Sequence, residues 1–434
     1  MQPFSVTLDQ MLDARERRAQ AQNTFLTQAR PSDCLVSLSL NIAGDVKRTP
    51  KTRLLFDCGI RAFDALGFSE KARRITDAPT GTEALMLLSA PAESVKSALE
   101  ELENAFPAAR LFDFDVLNAE GEKLSRKEPR RCLVCDGPAA VCARSRAHGL
   151  EAVRTATEAL LDGFCADVLA REAHRALLEE LHTTPKPGLV DDRNNGAHDD
   201  MDAALFEKSA DALAPYFQTA VSLGLSDAGM PPLKAAGSEA ERTMFSATNG
   251  VNTHKGLIYS MGLLLYGMGK ALSFGGDAIR HAASLARLDA DERLLHAQTE
   301  RDTNGAKVLA AYGARGAVGE AAEGFFHAQY CADRLKAHRN APCPGALALC
   351  DVMIVLSDTN LLHRGGEEGL RFAQAEAKRI ASLPESARVA ALEALDEEMI
   401  ARRLSPGGAA DMLALGYLLN AWRTLSETLW KVDA

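Results

Sequence analysis

Four polar clusters in the later part of the chain hold residue types that turns alone do not require. Residues 183–202 read TTPKPGLVDDRNNGAHDDMD, which brings a lysine, an arginine, a histidine and five aspartates into twenty positions. Pro185 and Pro187 exclude helix around Lys186, and Gly188 admits close backbone approach. His198, Asp199 and Asp202 then open a helix, where positions i, i+1 and i+4 converge on one turn. Carboxylates grouped in this way suit a hard divalent cation such as Mg²⁺ better than Zn²⁺. Capping by Asp199 or Asp200, with the remainder solvated, is the plainer reading, because helix starts favour acids.

The second cluster, SATNGVNTHKG at 246–256, precedes an apolar helix. Small residues and free amides at a helix N-terminus followed by Lys255 form a phosphate cradle, or equally a capped loop; the Walker A spacing is absent. SDTNLLHRGG at 357–366 and LSPGGAAD at 404–411 each set an acid and donors beside paired glycines. A C-cap and a turn would need the glycines but not Asp-x-Asn or His-Arg beside them.

The first third carries a different chemistry. Residues 110–117 alternate with period two, so Asp113 and Asp115 share one strand face, as a metal pair or as a solvated surface. Cys132-x2-Cys135-x6-Cys142-x5-His148 supplies four ligands for a closed structural Zn²⁺ site; the spacing matches no standard finger, and small thiols are common in cores. Arg126, Lys127, Arg130, Arg131, Arg144 and Arg146 crowd the same stretch, a place for phosphates in an otherwise acidic protein.

These residues need elements to hold them. With 434 residues, two domains are expected. Alternation at 36–42, an apolar run at 84–88 and the strand at 110–117, interspersed with helices at 51–66 and 91–106, make the first third mixed α and β. After about residue 140 strand patterns vanish. Helical spacing recurs at 151–181, 203–223, 239–246, 255–272, 291–309, 317–336, 345–356, 369–383, 388–402 and 409–429. The expectation is an α+β domain over 1–150 followed by a larger all-α domain over 151–434. A formal charge of −10 argues against a general nucleic-acid or anionic-membrane binder. Apolar runs such as 256–268 are short and broken by glycine, so no membrane span is expected. Without a secretion pattern, nine cysteines read as reduced thiols of a cytoplasmic protein.

The motifs TPKPGLVD, GAHDDMD, NGVNTHKG, SDTNLLHRGG and SPGGAAD, in this order, resemble the triphosphoribosyl-dephospho-CoA synthase family over most of 150–434. The chain departs at Asn249, where that pattern has glycine, and across 313–325. The resemblance implies attack of the ribose 2′-hydroxyl of 3′-dephospho-CoA on the ribose C1 of ATP, with adenine leaving. It implies Lys186, Lys255 and Arg364 on the triphosphate and Mg²⁺ on Asp199 and Asp202, with Asp358, His198 and His254 as catalytic residues of unassigned role. Residues 41–47, 111–116 and the Cys132–His148 run resemble holo-citrate lyase synthase over nearly all of 1–150. That implies a nucleotidyltransferase-type domain. It would move phosphoribosyl-dephospho-CoA onto a serine of the apo acyl-carrier subunit of citrate lyase and release pyrophosphate. Asp113 and Asp115 would then hold Mg²⁺, and Arg126 and Arg131 would clamp pyrophosphate. Two other classes stay open: a first domain that only docks the carrier, and a helical domain that hydrolyses ADP-ribosyl N-glycosides.

Overall fold

The alternating stretch near residue 36 forms β1 (Cys34–Leu40), which lies inside a four-stranded antiparallel sheet with β2 (Glu70–Ala78), β3 (Gly81–Leu88) and β4 (Phe112–Leu117) in the order β2-β3-β1-β4. This is a computed structural model, and it describes residues 4–299 and 304–430. Register puts Val36, Leu38, Met86, Phe114 and Val116 on one face, and Leu35, Ser37, Leu85, Leu87, Asp113 and Asp115 on the other. Gly59 of α2 (Pro50–Asp64) stands so close to the Phe112 ring that a Cβ would lie 2.7 Å from it, and Phe63 stacks near Phe114. The second face is covered by α1 (Leu8–Leu26), whose Phe25 and Leu26 pack on Leu35, Leu85 and Leu87. The half-buried strand expected at 36–42 is therefore buried on both sides, with Leu35 at 0 % and Ser37 at 4 % exposure. Sequence pattern misses β2 because its EKARRITDA carries charge on both faces, as edge strands do. The helix expected to reach residue 106 is α3 (Ala92–Leu102), followed by a 3-10 turn at Pro107–Leu111 that delivers the chain into β4.

After a short α4 (Ala139–Ser145), α5 (Leu150–Leu181) begins. The chain forms two compact units, Met1–Cys165 with Leu425–Ala434, and Ala166–Thr424, so the division falls inside α5. Within the first unit Lys51 reaches Glu158 at 2.6 Å and Asp162 at 2.8 Å on α5. The returning C-terminal segment is held by Arg48, which donates to the Thr428 and Leu429 carbonyls while pairing with buried Asp77 at 2.7 Å.

The second unit contains helices only, among the described residues: the later part of α5, then α6 (Ala203–Leu225), α7 (Met230–Ala247), α8 (Lys255–Phe274), α9 (Ala278–Thr299), α10 (Asn304–Tyr312), α11 (Gly316–Ala322), α12 (Phe326–Ala337), α13 (Pro344–Val355), α14 (Thr359–Ser382), α15 (Glu385–Ala401) and α16 (Gly407–Ser426). The helix expected over 291–309 runs partly through residues 300–303, which lie outside the described residues. α8 is the core. It is long and apolar enough to cross a membrane, contrary to the reading of its apolar run as too short, yet 78 % of that window is buried among its neighbours. α6 and α8 touch backbone to backbone: a Cβ on Gly224 would sit 2.0 Å from the Tyr266 carbonyl. α14 starts ten residues before the expected 369, with a break at Gly366 (φ 60°), so its first turns are built from the SDTNLLHRGG cluster itself.

Candidate functional site

In the second unit the site begins where α5 ends. Lys186 turns back on that end, donating to the Glu180 carbonyl at 2.8 Å and to Glu180 Oε1 at 2.6 Å. A lysine there satisfies carbonyls that a helix leaves unpaired. At 2 % exposure its ammonium is an internal partner rather than the open phosphate donor expected from the sequence. Asp191 shapes the rest of the loop: its oxygens accept from Thr184 Oγ1 and from the amides of Lys186, Arg193 and Asn194. Asp396 of α15 accepts from the Gly188 amide and Asn194 Nδ2. Gly188 has φ +71°, and a Cβ there would lie 2.3 Å from the Leu404 carbonyl, so the first cluster rests directly on the fourth.

His198 links three clusters. Its Nδ1 is 3.1 Å from the Arg364 guanidinium, and its Nε2 is 2.9 Å from Ser405 Oγ. A guanidinium only donates, so Nδ1 accepts and Nε2–H donates to the serine. Burial and then the Arg364 charge push the His198 pKa down, which keeps the ring neutral. Arg364 is fixed further by the Ala197 carbonyl at 2.9 Å. The expected convergence of His198, Asp199 and Asp202 on one helical turn does not form, because α6 starts only at Ala203. Asp202 is its N-cap, accepting from the Leu205 amide at 2.8 Å, and Asp199 stands in solvent with the Arg403 guanidinium 3.9 Å away. Neither belongs to a three-ligand group among the described residues.

Asp358 joins two helix starts. One oxygen accepts from the Asn360 and Leu361 amides of α14 and the other from the Ala409 amide of α16, at 2.8 to 3.1 Å. Burial pushes its pKa up against the amide bonds that favour the charged form. A Cβ on Gly408 would press on this carboxyl at 3.1 Å, which explains why the fourth cluster needs glycine there.

Sequence reasoning misses Glu180 and does not single out Asp411. Glu180 sits in an unremarked amphipathic pattern; the signal for Asp411 is a solitary acid in the apolar helix GGAADMLALGYLLN. Asp411 lies one turn into α16, and its Oδ2 would be 3.1 Å from a Cβ on Gly256 at the start of α8. Desolvation, then the charges of Glu180 and Asp358, raises its pKa well above the usual aspartate value, although the side chain is only part-buried. The N-termini of α8, α14 and α16 thus meet around three carboxyl groups.

Beside this centre, His254 is buried, 2.8 Å from Ser209 Oγ through Nδ1, and edge-on to Phe206. Burial, with the Lys186 charge second, lowers its pKa to about 3. Lys255 is part-exposed with its ammonium 3.2 Å from Glu241. Asn249 takes the left-handed backbone (φ 53°), a conformation asparagine tolerates better than most residues. A groove lined by Asp167, Arg171, His174, Asp211 and Gln218 shares no residue with this constellation.

In the first unit Asp113 and Asp115 point to one face as the alternation requires, each with a cation: Arg130 at 3.0 Å from Asp113, Lys123 at 2.6 Å from Asp115. Buried Glu103 gathers the arginines. It accepts from Arg126 and, at 2.8 Å, from Arg130, while its Oε1 also receives the Phe114 amide of β4. Arg126 is thus committed to a carboxylate, whereas Arg131 projects outward. Cys132, Cys135, Cys142 and His148 come together with all four ligand atoms within 4.8 Å of one another.

Comparison with known proteins divides the chain in the same way. The family model described as ATP:dephospho-CoA triphosphoribosyl transferase matches residues 166–428, and that described as apo-citrate lyase phosphoribosyl-dephospho-CoA transferase matches residues 6–164. Protein CitXG of Haemophilus influenzae is 33 % identical over 96 % of this chain and 97 % of its own length. The 2-(5''-triphosphoribosyl)-3'-dephosphocoenzyme-A synthases of Haemophilus ducreyi and Klebsiella pneumoniae are 35 % and 38 % identical, over 65 % and 59 % of this chain and 97 % and 91 % of their own lengths. The chain belongs to the ATP:dephospho-CoA triphosphoribosyl transferase family, in the fused form that carries an apo-citrate lyase phosphoribosyl-dephospho-CoA transferase domain ahead of the synthase.

Proposed function

We propose that the chain makes and attaches the prosthetic group of citrate lyase in two consecutive transfers. In the second unit the 2′-hydroxyl of 3′-dephospho-CoA attacks C1 of the ATP ribose: the new C1–O bond forms, the C1–N9 bond breaks and adenine leaves with the triphosphate intact. The observation that carries this reading is the meeting of the α14 and α16 N-termini at Asp358, with the start of α8 against Asp411. Helix N-termini suit the triphosphate. A carboxyl group whose pKa is raised by its surroundings is suited to give its proton to the departing purine. His254, held neutral, and His198 are the groups available to take the proton of the incoming hydroxyl. Asp358 keeps α14 and α16 in register and places a carboxyl group near the cationic sugar. Arg364 and Lys255 line the phosphate side, while Lys186 positions Glu180. Mg²⁺ would reach the site on the triphosphate, with Asp199 as the open carboxylate beside it, since Asp202 caps α6 and does not converge with Asp199.

In the first unit, which we assign as the nucleotidyltransferase-type domain, a serine of the apo acyl-carrier subunit attacks the phosphorus next to the ribose. A phosphodiester forms and pyrophosphate leaves. Arg131 with Arg126 would receive the pyrophosphate, and Asp113 and Asp115 would hold Mg²⁺ in exchange for Arg130 and Lys123. Exposed arginines suit an acidic carrier surface, which makes the reaction salt-sensitive. The location that fits these substrates is the cytoplasm. The test is the mass of apo-carrier incubated with the protein, ATP, Mg²⁺ and 3′-dephospho-CoA. Gain of one phosphoribosyl-dephospho-CoA is expected; carrier binding without a mass change would reduce the first unit to a docking module. Adenine released without dephospho-CoA would make the second unit an N-glycoside hydrolase.

A further inference from the structure

One stretch of the first unit lacks a core. From residue 117 to residue 156 Cys132 is the only buried residue, although the stretch carries Arg126, Arg130 and Arg131 and ends in the first turns of α5. A polypeptide of this length cannot order itself on so little apolar burial, and small units of this kind are commonly closed by a metal. The four side chains that meet here supply one. Cys135 Sγ lies 3.5 Å from Cys142 Sγ and 3.2 Å from His148 Nε2. In a tetrahedral site with Zn–S near 2.3 Å, ligand atoms stand about 3.8 Å apart, and all four atoms already lie within 4.8 Å.

The backbone is shaped for the same purpose. Asp136 takes a left-handed conformation (φ 56°) that turns the chain directly after Cys135, and the Cys132 amide closes that turn on the Gly137 carbonyl at 2.6 Å. The Val134 amide points at Cys132 Sγ from 3.4 Å, a donor placed where a thiolate would need one. α4 presents Cys142, and a left-handed Arg146 (φ 51°) ends it so that His148 returns to the cluster.

We infer that Cys132, Cys135, Cys142 and His148 bind one structural Zn²⁺, and that this ion holds the arginine-bearing segment against β4. The connection is direct: Arg110 donates to the Cys132 carbonyl at 2.9 Å, and Arg130, two residues before Cys132, reaches the Phe112 carbonyl at 2.8 Å and Asp113 at 3.0 Å. Four protein ligands close the coordination sphere, so the ion orders the arginines and takes no part in either transfer. Its effect on carrier modification rests on the assignment of that transfer to the first unit; the binding of metal does not.

The experiment uses the untagged full chain purified without chelator. Elemental analysis should find one zinc per chain, and cobalt-reconstituted protein should show the intense visible bands of a tetrahedral thiolate site. Cys142→Ser and His148→Ala should each lower zinc content well below one per chain. Both should cut the carrier mass shift from preformed precursor at least tenfold while leaving adenine release within twofold of the parent. Zinc-free parent protein lacking the cobalt spectrum, or variants that retain full zinc, would overturn the site. Zinc lost with carrier modification unchanged would overturn the role in positioning the arginines and leave the two-transfer reading intact. Full zinc with no mass shift in the parent would instead strike at that reading alone.

Discussion

Asp411 shows how much of a side chain's chemistry is set by its neighbours. An aspartate in water is ionised at neutral pH; here desolvation and two further acids raise the pKa well above that of a free aspartate. Replacing it by Asn should keep the shape and remove the proton donor, lowering adenine release by roughly 10²- to 10⁴-fold. Transfer of preformed precursor to the carrier should be unaffected, and assaying both reactions on one preparation checks this. Because the protonated form is the active one, adenine release by the parent should fall as pH rises through the raised Asp411 pKa. His254 has the opposite sign. Its pKa in the folded chain is about 3 against 6.5 for an ordinary histidine, so between those values the unfolded chain binds more protons. Stability from this residue is complete above 6.5 and is lost as pH falls toward 3, by up to about 1.4 kcal/mol per pH unit. Denaturant titrations at several pH values should show the slope, and His254→Asn should flatten it. Asp199 reaches solvent, so Asp199→Ala should leave the melting temperature nearly unchanged while abolishing magnesium-dependent adenine release; wild-type release with wild-type magnesium dependence would refute the metal assignment.

At the scale of elements, the site depends on close contacts between loops and helix starts. Gly188 combines a left-handed backbone with a carbonyl 2.3 Å from where a Cβ would be, so Gly188→Ala must displace the 404–411 segment. A loss of about 1 to 3 kcal/mol is expected from the strained backbone, with adenine release falling further than stability because Ser405 moves with that segment. Thermal melts set beside initial rates separate the two effects. The C-terminal segment of the first unit is tied down through Arg48 and by Thr428 Oγ1 on Asp57 at 2.8 Å. This arrangement ties the first unit to residues more than 370 positions away in sequence, as the pair Thr428–Asp57 shows. Helix and strand periodicity reveals neither kind of constraint, since both are contacts between distant parts of the chain.

For the whole molecule, one chain carries a synthase and the transferase that consumes its product. The residues proposed for the two reactions lie in separate units, so single substitutions should separate them: Arg131→Ala should weaken carrier modification, most at low salt where its charge is least screened, while adenine release keeps its rate. Carrier mass and free adenine measured over time report the two steps independently. Much of this organisation was legible in the linear chain. The change from period-two to helical spacing marks the passage from α+β to all-α, and the polar clusters stand out because turns have no need of their charged residues. The alternation at 110–117 placed Asp113 and Asp115 on one face because strand geometry is local. Spacing of cysteines and histidine likewise survives as a four-ligand cluster. Other features were decided only by tertiary structure. β2 is a strand because β3 pairs with it, not because of its own pattern. Lys186 became a helix cap and Asp202 an N-cap because α5 and α6 end and begin beside them. Glu180 and Asp411 come together only through packing, a property of the folded molecule that the order of residues along one helix does not express.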